Sequence, residues 1–283
     1  MVVTSNLILP PHVLPTGKSD LDRFEQLVLM HIPFTYVRFS DGEIELLRNR
    51  KLSIDGGVTE FRGRRFANQF PDFDQKYFDP RSDQAIRRDL MASAVFRGNT
   101  YFKGIPTSHN NAIIDREFML RLNGGFTQQI TFSDLFMNSN FLRARSTFFP
   151  FLAEFFEDIL VVGNWRCKLC EYLSKGQLIK IPDNFFSLSI YESTLQEVMT
   201  ELLDAPKSAL VLSSASSLSN IIGHRLYCHR SDITFLDIGT ALHDLMGLPL
   251  GTRAYHKLIN NHTLQDKFHA WRYRQHKEYQ LKW

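Results

Sequence analysis

Two acids one residue apart, Asp41 and Glu43, stand where an apolar run ends in the stretch YVRFSDGEIELL, residues 36–47. Carboxylates at that spacing can do two things. With Ser40 as N-cap and Glu43 three residues on, they fit a capping box that closes the first turn of a helix. An acid aimed off a strand end can instead offer hard oxygen ligands to a divalent metal, Mn2+ or Mg2+, that also holds a diphosphate. The capping reading explains Ser40 and Glu43, yet it requires neither Asp41 nor Gly42, which costs stability in a helical turn. Arg38 is close enough in sequence to balance the acids or to reach a phosphate.

Other chemistry-bearing residues recur at similar points. SSASSLSN, residues 213–220, leaves an apolar run and enters a helical pattern. Its backbone N–H groups and the hydroxyls of Ser213, Ser214, Ser216 and Ser217 can hold a diphosphate or a uridine, while serines also serve as ordinary caps. Gly163 and Asn164 make a second turn of this kind, with a plain tight turn as the alternative. Asp237, before Gly239, and His243 can take a proton from a hydroxyl, or serve as a helix N-cap and part of a solvated His-Asp pair. His109 is a further polar candidate. Cys167 and Cys170 form a single C-x-x-C, which lacks the second pair that a zinc site needs. Arg62, Arg64 and Arg65 could clamp a diphosphate.

These residues need elements to carry them. The spacing predicts helices over 21–31, 43–50, 83–96, 165–173, 195–203 and from about 217, and strands over 34–39, 158–164, 178–182, 208–213 and 233–239, with a short one ending at 103–106. Residues 62–80 read as a long loop or lid. Apolar strands alternating with amphipathic helices predict an α/β, Rossmann-like fold, a mainly parallel sheet with helices on both faces. Ligands of such sheets bind beyond the carboxyl ends of the strands, where every turn named above falls.

Composition bounds the function classes. A formal charge of +3, spread along the chain, argues against nucleic acid or a membrane as the main partner. A small basic or aromatic face, such as the tail HAWRYRQHKEYQLKW, leaves peripheral membrane contact open. Twenty-four Phe against three Trp place most rings in core or pocket lining, since Phe has no polar handle. No signal peptide or transmembrane segment is expected, because Pro10 and Pro11 break the first apolar run. Three cysteines fit a reducing, cytoplasmic setting.

The ordered series VRFSDGE, GIP, ILVVGN, LVLSSASSLSNIIGHRL and FLDIGTALHDLMG resembles the GT-D glycosyltransferases, a bacterial family once filed as a domain of unknown function. There the first block is typically R-[FY]-G-D-G-E, the third resembles I-V-G-P and the fifth D-I-G-H. The resemblance runs from about Tyr36 to Gly247. It implies one glycosyltransferase domain over 1–283, of GT-D type, with a family-like core at about 34–247 and a C-terminal extension at 248–283. It also implies a UDP-sugar donor, an oligosaccharide or glycoconjugate acceptor, and metal-assisted diphosphate binding through Asp41 and Glu43. Surface glycan synthesis would be the setting. Ser40, Asn164 and Thr240 depart from the family pattern, and Thr240 removes a base, leaving His243 as a substitute. A glycoside hydrolase or phosphohydrolase using the same acids, and a nucleic-acid-binding module, are the competing expectations.

Overall fold

The chain's structure, a computed structural model, is described for residues 17–54, 58–67, 76–106, 110–137, 140–183, 188–249 and Tyr255. In chain order the elements are α1 (Gly17–Leu29), β1 (Thr35–Arg38), α2 (Asp41–Leu47), β2 (Leu52–Ile54), β3 (Val58–Phe61), β4 (Arg64–Ala67), β5 (Lys76–Phe78), α3 (Gln84–Val95), β6 (Tyr101–Ile105), α4 (Asn110–Asn123) and β7 (Ile130–Phe132). Then come α5 (Phe141–Arg143), widened through Ala144–Phe148 into α6 (Phe149–Phe155), and β8 (Ile159–Asn164), β9 (Gln177–Ile181), α7 (Leu188–Leu203), β10 (Leu210–Ser214), α8 (Ser217–His229) and β11 (Thr234–Asp237).

Seven strands form a parallel sheet in the order β7-β6-β1-β11-β10-β8-β9. This is the Rossmann-like α/β architecture. Its apolar runs are long because both faces are covered, and side chains alternate strictly between two cores. Val37, Val162, Val211 and Phe235 join the core under α2, α3, α7 and α8. Tyr36, Val161, Leu212 and Leu236 join the opposite core, with α1, α5 and α6. From β1 the chain first builds outward through β6 and β7, then crosses to β8 on the other side, and β11 finally inserts beside β1. That reversal opens a crevice at the carboxyl ends of the central strands.

A second sheet corrects the expected loop at 62–80. Strands β4-β3-β2-β5 make an antiparallel sheet, with Phe61 paired to Arg64 across a two-residue turn. Arg62 and Gly63 both take positive φ, 55° and 71°, as a hairpin turn matched to strand twist requires. Residues 68–75 lie outside the described set. The helix expected over 165–173 is also absent, apart from one short turn at Glu171–Leu173. Its backbone donors are taken elsewhere: Trp165 N–H by Ile181 O and Lys168 N–H by Met246 O, both at 2.9 Å. Helix α4 and strand β7 are additions to the sequence-based expectation. Among the described residues no helix is long and apolar enough to cross a membrane.

Candidate functional site

The turn after β1 answers the question its acids raise by giving them different duties. Glu43 is only 7% exposed. Its Oε2 accepts the Ser40 N–H at 3.0 Å, the return arm of a capping box, and its Oε1 accepts the Ser217 hydroxyl at 2.6 Å. Glu43 therefore ties the β1 turn to the start of α8. Asp41 is exposed, and among the described residues its carboxylate meets only the Gly42 N–H, which Oδ1 accepts at 3.0 Å. A Cβ at Gly42 would meet nothing within 4 Å, so packing does not demand glycine there and the turn stays open on the ligand side.

Arg38 closes β1 and is held from below by Asp237, the last residue of β11. Asp237 Oδ1 faces Arg38 Nε at 3.3 Å and accepts the Gly239 N–H at 3.0 Å, while Oδ2 accepts the Arg38 N–H at 3.3 Å. Arg38 Nη1 donates to Ser133 O at 3.1 Å. Gly239 has φ 51°, and a Cβ there would come within 2.6 Å of the guanidinium, so this glycine is required by both backbone and space. Burial pushes the Asp237 carboxyl up to about 6, with Arg38 pulling it down and Glu43 pushing it further up. Burial acts against the Arg38 charge, but Asp237 and other neighbours outweigh it and hold its pKa above the usual value. At neutral pH the two form a charged pair.

The turn after β10 is internally braced. Ser213 and Ser219 hydroxyls lie 2.9 Å apart, and Ser219 Oγ accepts the Ala215 N–H at 3.0 Å. Ser216 sits at φ 51°, ψ −140°, a strained conformation for a side chain with Cβ, and strain of that kind concentrates at functional turns. Ser214 donates to Gly239 O at 2.6 Å and lies 2.8 Å from His243 Nε2. With its proton donated to that carbonyl, Ser214 Oγ faces His243 Nε2 as an acceptor.

At the end of β8, Asn164 donates to Asp183 Oδ1 at 2.6 Å and accepts the Arg166 N–H at 3.0 Å. Burial alone would raise the Asp183 carboxyl, but bonds from Arg166, Asn164 and Trp165 outweigh it and lower the pKa. Gly163 is packed inward, where a Cβ would stand 3.1 Å from Cys167 Sγ.

Together these turns form the floor of a cleft of about 340 Å³. It is lined by Arg38, Ser40, Asp41, Gly42, Glu43, Asn164, Ser214, Ser216, Ser217, Gly239, Thr240 and His243. The antiparallel sheet supplies the facing wall, through Leu52, Ile54, Thr59, Phe61, Phe66 and Lys76. The volume suits a small organic ligand. Asp237, Ser213 and Gly163 stay behind the floor and brace it. Arg62 points away from the cleft, pairing with Asp115 and Glu45. Arg64 and Arg65 are exposed on β4. His109 and the tail at 269–283 fall outside the described residues.

No protein-family model matches the chain, and no curated protein matches it. Among solved structures it is similar to a selenomethionine-substituted domain of unknown function 1792, at 15% identity and a TM-score of 0.49, covering 82% of this chain and 87% of that one. A second similar structure is described as the highly conserved domain of unknown function 1792 with a distinct glycosyltransferase fold, at 14% identity, a TM-score of 0.49 and the same coverage.

The donor set bears on a metal. Among the described residues no three His, Cys, Asp or Glu side chains gather as ligands. Asp41 is a hard oxygen donor on the cleft, whereas both Glu43 oxygens already hold protein donors. Such a site fits a small divalent cation that takes one or two carboxylates and draws its remaining ligands from phosphates and water. Cys167 and Cys170 are buried thiols, and burial raises Cys167 to about 11, so they are inert packing groups. The whole apolar wall of the cleft escaped sequence reasoning. Its one available signal was the alternation of apolar and polar residues in LSI and VTEF.

Proposed function

We propose that the chain is a metal-dependent glycosyltransferase that moves a hexosyl or pentosyl unit from a UDP-sugar to a carbohydrate or glycoconjugate acceptor, in the building of surface glycans. One observation carries this reading: Arg38, the Asp41 carboxylate and the serine-bearing start of α8 share one cleft with His243. A guanidinium and a helix N-terminus are anion-binding groups, and an adjacent exposed carboxylate makes sense where a cation must accompany that anion. The site would take Mg2+ or Mn2+ through Asp41, and the bound cation would neutralise charge on the departing diphosphate. Glu43 holds the two turns together, and Asp237 holds Arg38 toward the diphosphate. The acceptor hydroxyl gives its proton to the imidazole of His243, which lines the cleft. Leu52, Ile54, Phe61 and Phe66 keep water from the donor.

Calorimetric titration of UDP with and without Mn2+ tests this, on the wild type and on Asp41→Ala. Metal-dependent binding lost in a folded Asp41→Ala supports the proposal. Equal binding in both, or none in either, overturns it. A glycoside hydrolase working between two acids needs carboxylates on opposite sides of the substrate. The acids that line this cleft, Asp41 and Glu43, lie on one turn, which favours transfer over that hydrolysis.

A further inference from the structure

Trp165, the first residue after β8, is 50% exposed and nonetheless firmly held. Its indole N–H donates to Asp183 Oδ2 at 3.2 Å, and the Arg166 guanidinium lies over its ring, 4.4 Å from the centroid. Its backbone N–H is taken by Ile181 O at 2.9 Å. Arg166 is fixed in turn, pairing through Nη1 with Asp183 Oδ1 at 2.5 Å. The cluster is continuous with the cleft, because Asn164, Ile181 and Pro182 line the cleft and the Asn164 amide bonds Asp183 directly.

A single exposed ring is ordinary on a protein surface. A ring fixed in place is different, since it offers a large contact area with little freedom left to lose on binding. Arg166 stacks on one face of the indole, so the exposure falls on the other face and the ring edge. The polar groups at that edge are only partly used and remain open to solvent, at 28% exposure for Asp183 and 36% for Arg166. Among the described residues Asp183 Oδ2 accepts the indole N–H alone and has room for a second hydrogen, while Arg166 keeps Nε and Nη2 to give. An apolar face rimmed by one acceptor and one donor matches a sugar ring, which presents a face of C–H bonds and an edge of hydroxyls.

The sheet order says which sugar. Arg38 and Asp41 stand at the end of β1, and Ser217 at the start of α8 is tied to Glu43 there. His243 lies beside Ser214, at the end of β10. Trp165 follows β8, three strand spacings from β1 or roughly 14 Å. The imidazole thus lies between the anion-binding groups and the indole, and a sugar on the far side of a base from the diphosphate is the one that gives up a proton.

We propose that Trp165, with Arg166 and Asp183 at its edge, is the platform on which the acceptor carbohydrate stacks. The inference rests on the glycosyl transfer proposed for the cleft and adds where the acceptor binds.

Cellobiose, lactose and N,N′-diacetylchitobiose, titrated into the full chain by ligand-observed NMR with and without UDP and Mn2+, test it. At least one of these sugars should saturate the wild type in the millimolar range, and Trp165→Ala should weaken it about tenfold or more, as truncating an interface tryptophan does. Trp165→Phe, which keeps an aromatic face, should retain most of the affinity. Metal-dependent UDP binding should be the same in Trp165→Ala as in the wild type, which also shows that the variant is folded. The proposal is overturned if none of the sugars saturates, or if they bind Trp165→Ala as well as the wild type. A loss of UDP affinity in a folded Trp165→Ala that still binds sugar would overturn it too, since the indole would then serve the nucleobase. If the wild type binds no UDP, the transferase reading fails by itself, and the sugar titrations still decide for or against the platform.

Discussion

The two ends of the parallel sheet bury positive charge in opposite ways. At the carboxyl end Arg38 is met by a formal counter-charge, Asp237, which is 1% exposed. At the amino end Lys103 is met, among the described residues, by the carbonyls of Ala94 and Phe96 alone. Burial, with Arg97 nearby, lowers the Lys103 pKa to about 7. A guanidinium with a fixed partner keeps its charge and direction whatever enters the cleft. An amine held by carbonyls can gain or lose its charge. The first arrangement suits a site that must present a constant charge to an anion, whereas the second leaves a charge that follows pH.

Removing each partner gives the largest contrast. Asp237→Ala leaves a mostly buried arginine unpaired and should cost about 3–5 kcal/mol of stability. Lys103→Met leaves two carbonyl oxygens without donors and should cost about 1–3 kcal/mol. Urea denaturation of both variants measures the difference. A smaller loss in Asp237→Ala than in Lys103→Met would break the comparison, since it would mean that the Arg38 charge is solvated without its partner.

The ends should also titrate in opposite senses. Asp237 is raised from 3.8 to about 6, so between those values the folded chain holds a proton that the unfolded chain has released. Stability from this group is therefore greatest below about 4 and falls as pH rises to about 6. Lys103 is lowered from 10.5 to about 7, so between those values the unfolded chain binds the extra proton, and stability rises with pH from about 7 upward. Arg97 and His224 are the other charged or titratable groups coupled to Lys103. Asp237→Asn should remove the acid arm alone and Lys103→Met the alkaline arm alone, read as denaturation midpoints at a series of pH values. An unchanged profile in either variant would reassign that arm to another group.

Within the carboxyl end, the two acids of the β1 turn sharpen the picture. Glu43→Gln cannot accept both the Ser40 N–H and the Ser217 hydroxyl with carboxylate strength, and should cost about 1–2 kcal/mol. Asp41→Asn, at an exposed position, should change stability by less than about 0.5 kcal/mol while removing metal-dependent UDP binding. Melting curves set beside calorimetry separate the two. Equal stability losses would make Asp41 a structural residue and weaken its proposed role as a ligand.

How far these arrangements could be foreseen differs by element. The apolar runs of β1, β8, β10 and β11 end in small or polar turns, and because parallel strands present those ends together, the cleft floor was legible as a set. The wall was not. The alternation in LSI and VTEF was its one signal, because every residue of β4 is exposed and its hairpin turns on Arg62-Gly63 rather than on an Asn-Gly pair. Nor could spacing reveal that Glu43 spends its second oxygen on Ser217, 174 residues away, which makes it a tie between turns. Asp237 looked like a base because it follows a strand, but the sequence carries no mark of the arginine that holds it.

The smallest contrast lies along β10, whose two ends each carry a serine in the left-handed region, Ser208 at φ 62° before the strand and Ser216 at φ 51° after it. Glycine relieves that strain but adds freedom to the unfolded chain, so Ser208→Gly and Ser216→Gly should each change stability by less than about 1 kcal/mol. Their effects on binding should diverge. Ser208 is exposed at the amino end, and its replacement should leave UDP affinity unchanged. Ser216 lines the cleft, and loss of its hydroxyl, or of the fixed direction of the following N–H groups, should weaken UDP binding several-fold. Ser216→Ala separates the two causes, since it keeps the Cβ and the constrained turn while removing the hydroxyl. Affinity retained in Ser216→Ala and lost in Ser216→Gly would assign the contribution to the turn's conformation; affinity retained in both would place the nucleotide away from the start of α8.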